Sequence, residues 1–137
     1  MISFNVPGNP QALKRHRTFR RGNFTGQYDP SKGDKFDFLA MAMQHAPENP
    51  LSIPLSVEVC CYFQHPKNHY RTGKNAHLLK EGAPLWHTGR PDADNLGKFV
   101  CDALNGIFWT DDSCISILTV KKTYGDYPGT RIFISPA

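Results

Sequence analysis

Long apolar runs are missing from this sequence. None approaches the ~20 residues that a membrane-spanning helix requires. The opening MISFNVPGNP has neither the basic start nor the apolar core of a secretion signal. The expectation is a cytoplasmic protein with no membrane partner. Cysteine is present but wrongly spaced for metal or redox work. Cys60 and Cys61 are adjacent, Cys101 and Cys114 are isolated, and no CxxC pair occurs. That argues against a zinc knuckle and a thioredoxin-like site. Adjacent cysteines on a strand face opposite sides of a sheet, and the four are expected as reduced, buried thiols. His65 and His69 are four apart, but Pro66 lies between them and no apolar helical stripe accompanies them. They read as loop residues rather than a two-His metal face. Internal repeats and low-complexity tracts are absent as well.

Acid is scarce too, with twelve Asp plus Glu against sixteen Lys plus Arg and a net charge of +4. How the charge is distributed matters more than its sum. Five of the eight residues from Lys14 to Arg21 are basic, and no acid appears before Asp29. Glycines and a lack of apolar periodicity mark residues 12–28 as a basic arm or loop. Residues 64–91 form a second basic stretch, long and polar, with Lys67, Arg71, Lys74, Lys80 and Arg90 against a single acid, Glu81. A connection of that length in a compact domain is usually functional or mobile.

What remains is an ordinary globular composition. With 137 residues, 39% hydrophobic and 20% charged, the chain reads as one domain over 1–137 with a single core. Ile2–Val6, Leu55–Phe63, Ile115–Lys122 and Thr130–Ser135 carry strand patterns, the last two joined by GDYPG as a turn. Asp29-Pro30-Ser31 opens a helix with Phe36, Leu39, Ala40 and Met43 at helical spacing, ending before Pro47. Residues 94–105 form the clearest helix: Leu96, Phe99, Val100, Ala103 and Leu104 share one face, and Asn105-Gly106 stops it. The fold class expected is α+β, a mixed or antiparallel sheet of about four strands backed by two main helices.

Into this basic chain the stretch GRPDADNLGKFVCDALNGIFWTDDS gathers five of the twelve acids. On a helix, Asp94, Lys98, Cys101, Asp102 and Asn105 lie opposite the apolar stripe, with Asp92 just before its start. One Asp there is explained as an N-cap. Two flanking the start, with Asp111 and Asp112 soon after the helix, repel one another unless a cation binds among them. Hard divalent cations prefer oxygen ligands, which favours Mg²⁺. Asp102, about two turns from the helix start, is left outside that group. Ile107, Phe108 and Trp109 are read as core anchors that make Asp111 and Asp112 emerge at a fixed place. A carboxylate–metal site beside Lys14, Arg15, Arg17, Arg20 and Arg21 suits a polyanionic substrate. Phe19, Phe24 and Tyr28 either stack on bases or pack in the core. Together the features point to a Mg²⁺-dependent nuclease.

RPDADNLGKFVCDALNGIFWTDDSCI also closely resembles the signature of the RusA family of Holliday junction resolvases. The match runs from Asp92-x-Asp94-Asn95-Leu96 through Lys98 and Asp102-Ala103-Leu104 to Phe108-Trp109-x-Asp111-Asp112. It covers about a fifth of the chain in a dense pattern. PGNPQALKRHRTF is similar to the family's basic N-terminal stretch and VKKTYGDYPGTRIFI to its closing hairpin. The longer 64–91 connection departs from the short family members. The resemblance implies a homodimer that binds branched DNA, namely four-way junctions, and cuts two strands symmetrically using Mg²⁺. It also implies Asp92, Asp94 and Asp112 as metal-holding catalytic acids, Lys98 as the important lysine, and Asp111 as an adjacent acid. Lys14, Arg15, Arg17, Arg20, Arg21 and Arg90 are the expected DNA contacts. A nuclease acting on other branched DNA, such as flaps and forks, is the rival within the enzyme class. A non-catalytic junction-binding module is the rival outside it.

Overall fold

In LSVEVCCYFQ, Leu55, Val57, Val59 and Cys61 are buried in the core while Ser56, Glu58 and Tyr62 are less covered. This is the period-two pattern of a strand with one face on a core. The computed structural model describes residues 1–137. The chain runs β1 (Ile2–Pro7), β2 (Arg17–Arg21), β3 (Phe24–Tyr28), α1 (Lys32–Ala42), β4 (Leu55–Gln64), α2 (Ala93–Leu104), β5 (Ile115–Gly125) and β6 (Gly129–Pro136). Four strands form one mixed sheet in the order β1-β6-β4-β5, with β4 and β5 parallel and the other pairs antiparallel. No helix is long and apolar enough to cross a membrane.

β5 and β6 are not the closing hairpin expected from VKKTYGDYPGTRIFI. β4 lies between them, and residues 126–128 cross over its end. A Pro-Gly turn signals that the chain reverses, not which strand it will pair with. α2 supplies the crossover that a parallel β4–β5 pair requires.

Both helices lie on one face of the sheet. A helix of α2's length is marginal alone, so packing must hold it. Leu96, Phe99, Val100, Cys101, Ala103 and Leu104 are buried in one core cluster with Val57, Val59, Cys61, Ile132 and Ile134, and each large apolar side chain so buried stabilises by about 1.5–3 kcal/mol. A Cβ on Gly97 would meet Val120 Cγ2 at 2.9 Å, so the bare glycine lets α2 settle close on β5. Asn105 and Gly106 end the helix as expected, Gly106 adopting φ +81. Phe108 and Trp109 follow, both fully buried.

α1 differs from its expected face. Phe38 and Ala42 are buried and Phe38 packs edge-on to Phe99 at 5.7 Å, while Phe36 is 72% exposed and Met43 48%. Seven of the eight residues from Phe36 to Met43 are apolar, so spacing alone fits several helix phases and cannot choose between them.

The basic arm is not an irregular loop. Residues 17–28 form an antiparallel hairpin, a separate two-stranded sheet with Gly22 in the left-handed region at its tip. Gly22-Asn23 is a hairpin signal, hidden here because the flanking strands are charged rather than apolar. The 64–91 connection is also partly ordered. His87 N donates to Lys122 O and Tyr124 N to Leu85 O, which lays residues 85–87 along the end of β5.

Strand pairing gathers the two basic segments at one end. Pro7 and Tyr62 both lie opposite Gly129, and Gln64 opposite Gly125. The carboxyl ends of β1, β4 and β5 therefore share one edge of the domain, where the arm and the long connection emerge. Two hydrogen bonds fix the base of the arm there: Leu13 N donates to Asn95 O in α2, and Lys14 N to the Oγ of fully buried Ser31. Ser31→Ala leaves the Lys14 amide without its acceptor and is expected to cost about 1–3 kcal/mol by chemical denaturation.

Candidate active site

The first turn of α2 holds the first acid pair. Asp92 occupies the N-cap position with extended backbone (φ −72, ψ 147), yet its side chain makes no capping bond. It enters no ion pair either. The helix-start explanation therefore does not use this carboxylate. Asp94, one turn below Lys98, has its Oδ2 3.8 Å from Lys98 Nζ, with both side chains about two-thirds exposed (66% and 62%). An exposed pair at that spacing contributes about half a kcal/mol or less, so neither group is tied up. Asp92, Asp94, Asn95 and Lys98 line one side of a groove of about 370 Å³, and Leu13, Lys14 and Arg15 line the other. Anchoring of Leu13 on Asn95 is what brings the arm's first cations to the carboxylates.

The second acid pair sits beyond the helix, in the turn that leads into β5. Asp111 accepts from the Ser113 amide at 3.0 Å, and the Ser113 hydroxyl and amide hold its carboxyl below the usual range. It is chiefly a turn residue. Asp112 accepts from the Trp109 indole Nε1 at 2.8 Å. Burial pushes its carboxyl upward, the indole bond opposes this, and the negative fields of Asp102 and Asp111 add to the rise. Burial lifts the Cys101 thiol to about 12, with the carboxylates of Asp112 and Asp102 adding to it. The fields of Asp112, Asp102 and Cys101 therefore act on one another. One chain brings together Asp92, Asp94, Lys98, Lys14 and Arg15. Asp112 does not line that groove, and Asp102 is approached by Lys35 Nζ at 3.6 Å. No three His, Cys, Asp or Glu side chains stand close enough to form a metal cluster on their own.

The hairpin carries the remaining arm cations. Its register puts Arg17, Phe19 and Arg21 on the same face as Tyr28 and Phe24, with Arg20 on the other. Arg21 lies over the Phe19 ring at 5.8 Å, and Arg20 Nε donates to Gly22 O at 3.1 Å. None of the three aromatics joins the core, and Phe24 is 63% exposed. Alternating guanidinium and aromatic groups on an open face are suited to a phosphate backbone and its bases. Arg90, exposed, immediately precedes Pro91 and Asp92.

Three contributions escaped the residue pattern. Trp109 was legible as a core anchor, but its indole also positions Asp112, and the W-x-x-D spacing was the available signal. Ser31 was legible as a helix start, yet its hydroxyl serves the arm. Lys35 pairs with Asp29 as well as Asp102, a bridge across elements that no local spacing reveals.

A family model described as Endodeoxyribonuclease RusA matches residues 7–135. The chain therefore belongs to the RusA endodeoxyribonuclease family. It is also 36% identical over 135 residues to "Uncharacterized protein YqaN" of Bacillus subtilis (strain 168), an alignment spanning 97% of this chain and 94% of that protein.

The donor set of the groove fits Mg²⁺. That ion takes one or two carboxylates and completes its shell with waters and substrate phosphates. Asp92 and Asp94 offer two hard, uncommitted carboxylates open to solvent. Asp112→Asn keeps an Oδ1 acceptor for Trp109 while removing a charge that burial, Asp102 and Asp111 disfavour. The variant is expected to melt higher than the parent at pH 7. Because the folded-state carboxyl is raised, the difference should shrink as pH falls and the parent takes up its proton, measured by thermal melts across pH 3–7.

Proposed function

We propose that the chain is a Mg²⁺-dependent endodeoxyribonuclease that resolves four-way DNA junctions, acting as a homodimer that makes paired symmetric cuts. Family membership supports the nuclease class and the junction substrate. The observation that carries the site is that Asp92 stands at the helix start without capping it, paired with an open Asp94 in a groove whose other wall is Lys14 and Arg15.

In this reading Asp92 and Asp94 hold Mg²⁺, with Asp112 the third acid of the set. The bound ion supplies Lewis acidity for activating water and for stabilising charge on the leaving oxygen. Lys14 and Arg15 draw the scissile phosphodiester into the groove and neutralise its flanking phosphates. Lys98, tethered to Asp94 by a weak pair, swings its ammonium toward the charge that develops on the phosphorus oxygens. The hairpin's Arg17 and Arg21 engage the backbone further out, with Phe24 and Tyr28 available to unstacked bases near the branch. Arg20, from the opposite face, and Arg90, beside the acid pair, extend the basic track. A dimer provides two grooves for two strands.

Asp94→Asn is expected to reduce cutting to background while junction affinity is kept or rises, because a negative charge leaves the phosphate path. The check is gel-resolved cleavage of a synthetic four-way junction beside linear duplex, flap and fork DNA, with and without Mg²⁺. Normal cutting by this variant would remove the acid pair from the mechanism. Preferential cutting of flaps or forks would favour the branched-DNA rival, and binding without any cleavage by the parent would favour a non-catalytic module. Arg17→Ala/Arg21→Ala should flatten the salt dependence of binding by about 0.9 in log–log slope for each phosphate no longer neutralised, read by fluorescence anisotropy. An unchanged slope takes the hairpin out of the DNA path.

A further inference from the structure

Residues 64–91 hold five cations and one acid, an excess equal to the net charge of the whole chain, +4. The rest of the molecule is neutral in sum, so this connection decides the protein's overall sign. None of its cations forms an ion pair.

The backbone that carries Arg71 and Lys80 is also held in place. Arg71 N donates to Leu78 O and Lys80 N to His69 O, making a short antiparallel ladder around the Tyr70–Leu79 bridge. Arg71 Nε donates to Leu79 O at 3.2 Å, which orients the guanidinium across the ladder. The base is anchored on the sheet. His65 stacks on Tyr124 at 4.8 Å, His69 meets the same ring edge-on at 4.9 Å, and the two imidazoles touch through Nδ1 atoms 3.0 Å apart. Within this frame Lys67, Arg71 and Lys80 surround one concavity with Asn68, Tyr70 and Thr72, and no acid lines it. Its volume of about 620 Å³ lies within the range of ligand sites, roughly 300–1,000 Å³.

Three cations converging on one hollow repel each other unless an anion lies between them. The polar neighbours are hydroxyl and amide groups, partners that phosphate oxygens accept from. We propose that residues 67–80 form a second phosphate pocket, gripping the DNA backbone away from the Asp92–Asp94 groove. The inference rests on the DNA-nuclease reading and extends it by naming a further binding site. Both sites emerge from the same end of the sheet: the connection leaves β4 there and runs directly into α2. One duplex arm can therefore be cut at the groove and held at the pocket.

The test is Lys67→Ala/Lys80→Ala, which removes two side chains that make no hydrogen bond in the fold. Lys32→Ala/Lys121→Ala, which removes equal charge elsewhere, is the control. Binding of a labelled four-way junction without divalent metal is measured across a salt series, and thermal melts confirm both doubles are folded. The pocket double should bind at least ten times more weakly than the parent, with the log–log salt slope shallower by about 1.8, two phosphates at roughly 0.9 each. The control should weaken binding less than threefold. Affinity and slope equal to the parent's, or a weakening no greater than the control's, overturns the pocket. Cleavage by the parent is scored separately. Its absence sinks the nuclease reading while the binding comparison still decides the pocket.

Discussion

The descent of α2 onto β5 governs everything else in the molecule. Six buried side chains hold the helix to the sheet, and the missing Cβ at Gly97 sets how near the two backbones come. Because β4 and β5 run parallel, the chain must return through this helix, and its amino end is carried to the carboxyl ends of both strands. That end is also where β1 releases the hairpin and β4 releases the long connection. Asp92, Asp94 and Lys98 lie on the helix face turned away from the stripe. Their exposure is thus a consequence of the same packing that fixes their position.

Charge is sorted around this end. The hairpin and its base contribute five cations and no acid, and residues 64–91 contribute a further excess, while the remaining sequence is net acidic. The ion pairs that do form, Lys35 with Asp29 and Asp102, Lys121 with Glu58, and Lys98 with Asp94, leave every cation of those two segments free. Internal pairing of exposed charges gains little, whereas an unpaired basic surface draws a polyanion over distances comparable to the screening length. The acids at α2 sit within that surface, so a polyanion drawn to it would meet them in spite of their sign.

The parts of the fold legible in the residues were those with a single reading of their pattern. α2 was one: its stripe and its Asn-Gly stop match, although Cys101, expected on the polar face, is buried in the core. The four main strands were another, since β-branched runs such as Leu55–Phe63 have few alternatives. Pairing was not legible, because GDYPG specifies a reversal and says nothing of β4 slipping between β5 and β6. The face of α1 was hidden by an excess of apolar residues, and the hairpin by their shortage. For the site, local spacing placed Asp92, Asp94 and Lys98 together, and the three line one groove. Tertiary routes, such as Leu13 onto Asn95 and Trp109 onto Asp112, leave no periodic trace.

The strip of chain lying along β5 has a meaning beyond recognition of a ligand. β5 is an outermost strand, and residues 85–87 cover only its final part, at Lys122–Tyr124. From Ile115 to Val120 its rim carries no charge and no proline, the features by which open strands are usually kept from joining others. Trimming the long connection to make a minimal domain would bare the whole rim of that strand. The shortened protein would then face a colloidal problem, strand-to-strand sticking, before any question of what it cuts arose.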